Sequence, residues 1–162
     1  MLELPKLWLG PWKIQGELSY RFILDPIDHS FLGVARQRSQ ASSVWFGYLN
    51  RPVIEVHEGE DESLVFTVSR MWGLGTGWQV CDADGQRTGT LRAELIRDRL
   101  GCNLAVIELS QEAGEGRWLN PGSEELARFA PSSDGQLISF GTHVEANPIF
   151  KMLLLASLLR SS

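Results

Sequence analysis

The sequence predicts a mainly-β protein of one domain, residues 1–162, that ends in a buried α-helix. Short apolar and aromatic segments recur about every 8–12 residues with turn residues between them, which is typical of a β-barrel or β-sandwich. The exception is residues 149–159, which are almost continuously apolar. With 43% hydrophobic and 22% charged residues, the composition is ordinary for a globular protein.

Seven segments have the alternation, or the β-branched and aromatic content, of β-strands. Several stop at turn signals, of which Asp84-Gly85 and Asp134-Gly135 are the clearest hairpin sequences. The predicted strands are residues 20–24, 44–49, 53–57, 64–70, 78–82, 104–109 and 137–140. Residues 93–100 fit either a helix or a strand, because their alternation allows both.

The C-terminal helix, residues 147–160, is predicted from its start signal and its apolar surface. Asn147 is a good N-cap residue, and Pro148 suits the first helical position. Its own apolar side chains cover nearly the whole circumference of this helix, so it is buried in protein or in lipid. Its roughly eleven apolar residues would span about 17 Å, whereas a bilayer core is about 30 Å thick. A place in the protein core is therefore predicted.

Net charge limits the partners of the chain. The formal charge of −5 argues against a nucleic-acid-binding protein and against general attraction to acidic membranes, although a local basic patch can differ from the average.

The two cysteines, Cys81 and Cys102, show neither a disulfide framework nor metal-ligand spacing. Both lie in apolar segments, so buried free thiols are predicted. The first residues lack the basic and apolar regions of a secretory signal. Together these features predict a cytoplasmic location.

Four segments in a fixed order carry a family resemblance. They are Tyr20-x-Phe22-x-Leu24-Asp25 with Leu32-Gly33-x-Ala35, Leu64-x-Phe66-Thr67-Val68-x-Arg70, Trp78-x-Val80-x-Asp82-x-Asp84-Gly85-x-x-x-Gly89, and Asn147-Pro148 before the leucine-rich helix. They resemble the Tubby C-terminal-like superfamily, which includes phospholipid scramblases and the plant LURP-one-related proteins. The resemblance implies a closed antiparallel barrel of about twelve strands around the C-terminal helix, with residues 1–17 as an N-terminal segment.

Arginine carries most of the positive charge and supplies the candidate binding residues. In Tubby proteins, basic side chains on the barrel hold a phosphoinositide head group, and the resemblance extends this expectation to an anionic patch here. Two of the candidates share one face of a strand by their spacing of two, and five others cluster in sequence. The alternative is a solvated arginine face paired with Glu and Asp. The candidates are Arg36, Arg38, Arg70, Arg87, Arg92, Arg97 and Arg99.

No metal or cofactor is predicted. The acidic pairs Asp25/Asp28 and Asp82/Asp84 are expected to form hairpin turns, because the twelve-residue calcium loop is absent. The glycine-rich stretch 73–77 lacks the ending of a phosphate-binding loop. Metal-ligand spacing is also missing among the three histidines, which are His29, His57 and His143.

Trp8 and Trp12 lie in a Gly- and Pro-rich N-terminal stretch. We expect them to close the barrel mouth; contact with a partner or a membrane interface is the alternative.

The sequence favours a non-catalytic binding or scaffold module. Its expected partner is an anionic phospholipid, including phosphoinositides, or another protein. One alternative is a small enzyme with a pocket at the barrel mouth. Another is a peripheral membrane protein anchored by residues 149–159.

Overall fold

The computed structural model describes residues 1–40, 51–71, 77–110 and 114–160. In these ranges the chain forms strands followed by two helices, α1 (Thr142–Glu145) and α2 (Pro148–Leu159). The strands are β1 (Lys6–Leu9), β2 (Lys13–Gln15), β3 (Leu18–Leu24), β4 (Phe31–Gln40), β5 (Arg51–Glu58), β6 (Ser63–Arg70), β7 (Gly77–Asp82), β8 (Arg87–Arg92), β9 (Leu95–Asp98), β10 (Asn103–Leu109), β11 (Gly116–Leu119), β12 (Glu125–Ser132) and β13 (Gly135–Phe140).

The sheet closes into an antiparallel barrel of twelve strands, as predicted. From β3 to β13, each strand pairs with the next along the chain. Strand β1 completes the ring, because Leu7 pairs with Ile138 of β13 and Leu9 pairs with Ile23 of β3. Strand β2 pairs with β3 and lies outside this ring. Closure leaves the ring without the unpaired edges that promote aggregation.

Helix α2 forms the centre of the core. Asn147 caps it by accepting a hydrogen bond from the Phe150 N–H at 3.0 Å, and Pro148 is its first residue. All residues from Lys151 to Leu159 are buried, so the predicted position of the helix is confirmed. Burial of each large apolar side chain stabilises the fold by about 1.5–3 kcal/mol. Among the described helices, none has the length and hydropathy to cross a bilayer.

The two polar residues of the helix are buried, and each has a hydrogen-bond partner. Lys151 Nζ donates to the Leu4 carbonyl oxygen at 2.8 Å and lies 5.1 Å from the centre of the Phe140 ring. Ser157 Oγ accepts a hydrogen bond from Trp118 Nε1 at 2.9 Å. These contacts meet the requirement that buried polar groups be hydrogen-bonded.

Arg21 is a buried charge at the seam where the barrel closes. Its side chain, 6% exposed, donates to the Gly10 carbonyl oxygen and, at 2.9 Å, to Gln136 Oε1 of β13. Desolvation lowers the pKa of Arg21 to about 10. The arginine thus ties β3 to both chain segments that meet there.

Most strand predictions agree with the structure. The predicted strands 20–24, 53–57, 64–70, 78–82, 104–109 and 137–140 lie within observed strands, whereas 44–49 falls outside the described residues. Residues 95–98 form β9, so the ambiguous stretch contains a strand.

The cysteine prediction was wrong for Cys102. Both cysteines are free, but Cys81 is half-buried and Cys102 is exposed. The backbone of Cys102 pairs with Asp98 in the turn between β9 and β10, which places the thiol outside the core.

The N-terminal tryptophans lie at the closing strand. Trp8 belongs to β1 and is half-buried, and Trp12 packs against the edge of the core. Backbone pairing of β1 with β13 and β3 closes the ring, and the role of the two tryptophans at the barrel mouth stays a prediction.

Candidate functional site

The barrel has two ends, which hold different ends of α2. Because successive strands run in opposite directions, hairpin turns fall alternately at each end. One end, called the mouth end here, also holds the start of α2; its turns are residues 25–30, 59–62, 83–86, 99–102 and 120–124. The opposite end holds the C-terminus of α2, where Arg160 donates to the Ala93 carbonyl oxygen between β8 and β9.

The seven candidate arginines are divided between these ends. Arg87 and Arg99 flank turns at the mouth end. Arg70 and Arg92 are the last residues of β6 and β8, at the opposite end. Arg97 lies on β9, where its Nε donates to Asn103 Oδ1 at 3.0 Å. The structure therefore does not gather all seven into one patch.

Arg36 and Arg38 share a face of β4, as their spacing predicts, but both are paired with carboxylates. Arg36 hydrogen-bonds Glu62 and lowers the pKa of that carboxyl. Arg38 Nε lies 3.5 Å from Glu55 Oε2. This pair therefore matches the alternative of a solvated, charge-paired face.

A cavity of about 420 Å³ opens at the mouth end, between two hairpin turns and the first turn of α2. Arg87 and Arg99 contribute its cationic side chains. Its apolar wall consists of Leu100, Leu104, Ile149, Phe150 and Leu153. This volume lies within the usual range for small-molecule sites.

Two aspartates in the cavity wall hold the turns in place. Asp82 Oδ1 accepts the N–H groups of Asp84 and Gln86 at 3.1 and 2.8 Å. Asp98 Oδ1 accepts those of Leu100 and Cys102 at 2.9 and 2.8 Å. The prediction that Asp82 builds a hairpin turn is therefore confirmed.

The same turn chemistry occurs between β3 and β4. Asp25 Oδ1 accepts the Ile27 N–H at 2.7 Å, and Asp28 Oδ1 accepts the Ser30 N–H at 2.9 Å. Across the described ranges, no group of three His, Cys, Asp or Glu side chains is arranged to hold a metal ion.

Two large apolar residues of the cavity wall are left in contact with water. Leu100 is 80% exposed at the tip of its turn, and Ile149 is 54% exposed in the first turn of α2. An apolar ligand in the cavity would shield these side chains, a gain of about 25 cal/mol per Å² of apolar surface.

Two further grooves lie on the outer barrel surface, and their arginines are already paired with carboxylates. One is bordered by Arg117, whose Nε lies 2.6 Å from Glu108 Oε2, and by Arg128, whose Nε lies 2.8 Å from Glu125 Oε1. The other contains the Arg36–Glu62 pair. The mouth cavity differs because its arginines have no such carboxylate partner in the described part of the chain.

Sequence reasoning identified the two arginines of the cavity but missed its apolar wall. One signal was present in the sequence: Leu100 follows Arg99 in a short Arg-Leu-Gly-Cys segment between strands, where a large apolar residue is unexpected.

Comparison with protein-family models, curated proteins and solved structures finds no significant match to this chain. The resemblance to Tubby C-terminal-like proteins therefore stays a prediction made from the sequence segments.

Proposed function

We propose that this protein is a non-catalytic binding module that holds the anionic head group of a lipid in the mouth cavity. The observation that carries the proposal is the pairing of two guanidinium groups with an apolar wall in a single cavity. A lipid presents the complementary combination, an anionic group attached to a hydrocarbon chain.

Two guanidinium groups of the cavity support an anionic head group. Arg87 and Arg99 form no ion pair with a carboxylate within the described ranges. Arg87 Nη2 donates to the Arg99 carbonyl oxygen at 3.5 Å, and its other N–H groups and those of Arg99 supply the donors for an anion. Guanidinium groups bind phosphate and carboxylate through two parallel hydrogen bonds. The start of α2 lies at the same cavity and adds a partial positive charge.

Several polar groups of the cavity hold the fold in place, which supports binding rather than catalysis. Asp82 and Asp98 hold turns through Oδ1, and Thr88 Oγ1 donates to the Val80 carbonyl oxygen at 3.1 Å. A general base must be placed to take a proton from the substrate, whereas one oxygen of each aspartate is already engaged by the backbone.

Calorimetry with decyl phosphate below its micelle concentration tests the proposal. The double variant Arg87→Gln/Arg99→Gln should bind at least about 100-fold more weakly than the wild type, since two charge-assisted hydrogen bonds at about 1.5–3 kcal/mol each contribute at least about 3 kcal/mol. The matched control is Arg36→Gln/Arg38→Gln, which removes two paired arginines of the outer face and should keep the wild-type affinity.

Equal losses in both double variants would overturn the assignment to the mouth cavity, because binding would then follow net charge alone. Failure of the wild-type protein to bind decyl phosphate would overturn the lipid proposal itself.

Two further expectations belong to this proposal. The two unpaired cysteines support a cytoplasmic module. The twelve-strand barrel around a helix supports the resemblance to Tubby C-terminal-like proteins, which stays a hypothesis about ancestry.

A further inference from the structure

The ligand class follows from the size of the cavity and from the charges around it. Resting on the proposed function, we propose that the ligand is a single-chain anionic amphiphile, bound as a free monomer. A corollary is that the mouth end does not dock on an anionic bilayer.

The size of the cavity favours a ligand with one chain. The cavity, of about 420 Å³, is open to solvent on one side and lies near the small end of the range for small-molecule sites. Such a volume holds a small head group and part of one alkyl chain. A lipid with two acyl chains exceeds this volume several-fold.

The turns that surround the cavity are strongly acidic. The five hairpin turns of the mouth end contain one arginine, Arg99, against seven carboxylates. The carboxylates are Asp25, Asp28, Glu60, Asp61, Glu62, Asp84 and Glu124. Of these, Glu62 is hydrogen-bonded to Arg36, so six remain without an arginine partner in the described structure.

These seven carboxylates, called the acidic rim here, repel an anionic membrane that faces the mouth end. Membrane-bound proteins use clusters of Lys and Arg against the negative surface potential of a bilayer, and the interaction extends over about 8–10 Å in physiological salt. Most of the rim carboxylates are exposed at turn tips, where they would reach the bilayer before the cavity does. Arg87 and Arg99 are exposed, so a single small amphiphile can contact them without bringing an extended anionic surface against these carboxylates.

Exposed apolar residues provide a matched pair for the test. Ile27 and Leu100 lie at tips of turns on opposite sides of the mouth end and are 90% and 80% exposed. Leu100 belongs to the cavity wall, whereas Ile27 is absent from its lining. Ile27→Ser and Leu100→Ser each replace an exposed side chain, so both variants should fold.

The experiment compares monomeric alkyl phosphates of increasing chain length with vesicles of phosphatidylcholine and phosphatidylserine in equal parts. Calorimetry should show affinity rising about fourfold for each added methylene and then levelling off once the cavity is full. Leu100→Ser should weaken binding of the longer chains several-fold, and Ile27→Ser should not. Sedimentation at low salt should leave the protein in the supernatant of the vesicles.

The outcomes separate this inference from the proposed function. Vesicle binding that requires Arg87 and Arg99, with weak binding of monomers, would overturn the monomer inference and leave the lipid-binding proposal standing. Affinity that rises without a plateau, or equal effects of Leu100→Ser and Ile27→Ser, would overturn the single-chain cavity. Absence of binding to both monomers and vesicles would overturn the proposed function as well.

Discussion

The indole N–H of Trp118 on β11 donates to Ser157 Oγ in the last turn of α2, at a distance of 2.9 Å. Both residues are fully buried. Ser157 Oγ in turn donates to the Leu154 carbonyl oxygen at 2.6 Å. Because apolar contacts alone are non-directional, this polar pair helps to fix how the helix is rotated inside the barrel.

Ser157→Ala should therefore lower the free energy of unfolding by about 1–3 kcal/mol, because it leaves a buried indole N–H without an acceptor. Urea unfolding followed by tryptophan fluorescence measures this loss. A loss below about 0.5 kcal/mol would show that water or another group replaces the serine.

A double-mutant cycle with Trp118→Phe isolates the pair. Once the indole donor is absent, Ser157→Ala should cost at least about 0.5 kcal/mol less than it does in the wild type. Additive losses would mean that Trp118 and Ser157 stabilise the barrel independently.

Lys151 makes the stability of the barrel depend on pH. Desolvation lowers the pKa of this buried ammonium group below its ordinary value of 10.5. Between the two pKa values, the unfolded chain binds more protons than the folded chain, so stability contributed by this site rises with pH and is complete near pH 10.5. Below the lower of the two pKa values, Lys151 is charged in both the folded and the unfolded chain. Burial of that charge then lowers the free energy of unfolding by the same amount at every pH.

The comparison of wild type with Lys151→Met reveals this dependence. The free energy of unfolding of the wild type, relative to the variant, should increase as the pH is raised towards 10.5. Urea titrations at several alkaline pH values measure the difference, and the titration of Arg21, whose pKa is about 10, cancels because both proteins retain this residue. A difference that is constant or falls with pH would contradict a lowered pKa.

Gly89 on β8 lies close to the side chain of Leu153 on the helix. A Cβ atom there would lie 2.5 Å from the Arg97 carbonyl oxygen and 2.7 Å from Leu153 Cδ2. Gly89→Ala should lower the free energy of unfolding by about 1–3 kcal/mol or more, because the packed core cannot accommodate the methyl group.

Thr90→Ala on the same strand is the control and should cost less than about 1 kcal/mol. In a Leu153→Ala background, Gly89→Ala should cost less than in the wild type but more than Thr90→Ala, since the contact with the Arg97 backbone remains. A cost of zero in that background would show that the helix alone limits the space at Gly89. Chemical denaturation of the five proteins provides the comparison.

Local sequence signals predicted the elements that have their own start and stop residues. Asn147 and Pro148 define the beginning of α2, and Asp84-Gly85 defines the turn after β7. Strand β1 gave no comparable signal, because its four residues become a strand only through pairing with β13 and β3. Ring closure depends on pairing between strands that are far apart in sequence, and the local pattern of apolar residues does not predict such pairing.

The candidate site was only partly predictable for a related reason. Arg70 and Arg87 are close in sequence, but they belong to opposite ends of the barrel because strands alternate in direction. Counting the strands between two arginines would have separated them. The apolar wall combines Leu100 of a turn with Ile149 of the helix, and only the folded barrel brings these residues together.

Asn147 connects the stability of α2 with the chemistry of the mouth cavity, since its side chain caps the helix and also lines the cavity. Asn147→Ala should lower the free energy of unfolding by about 1 kcal/mol through loss of the cap. Asn147→Asp keeps a capping oxygen and should leave stability within about 0.5 kcal/mol of the wild type, but it places a negative charge beside the proposed anion site.

We expect Asn147→Asp to bind decyl phosphate several-fold more weakly than Asn147→Ala, although it is the more stable of the two. Urea unfolding and calorimetry on the same samples measure both quantities. Equal affinities of the two variants would place the anionic head group away from the start of α2.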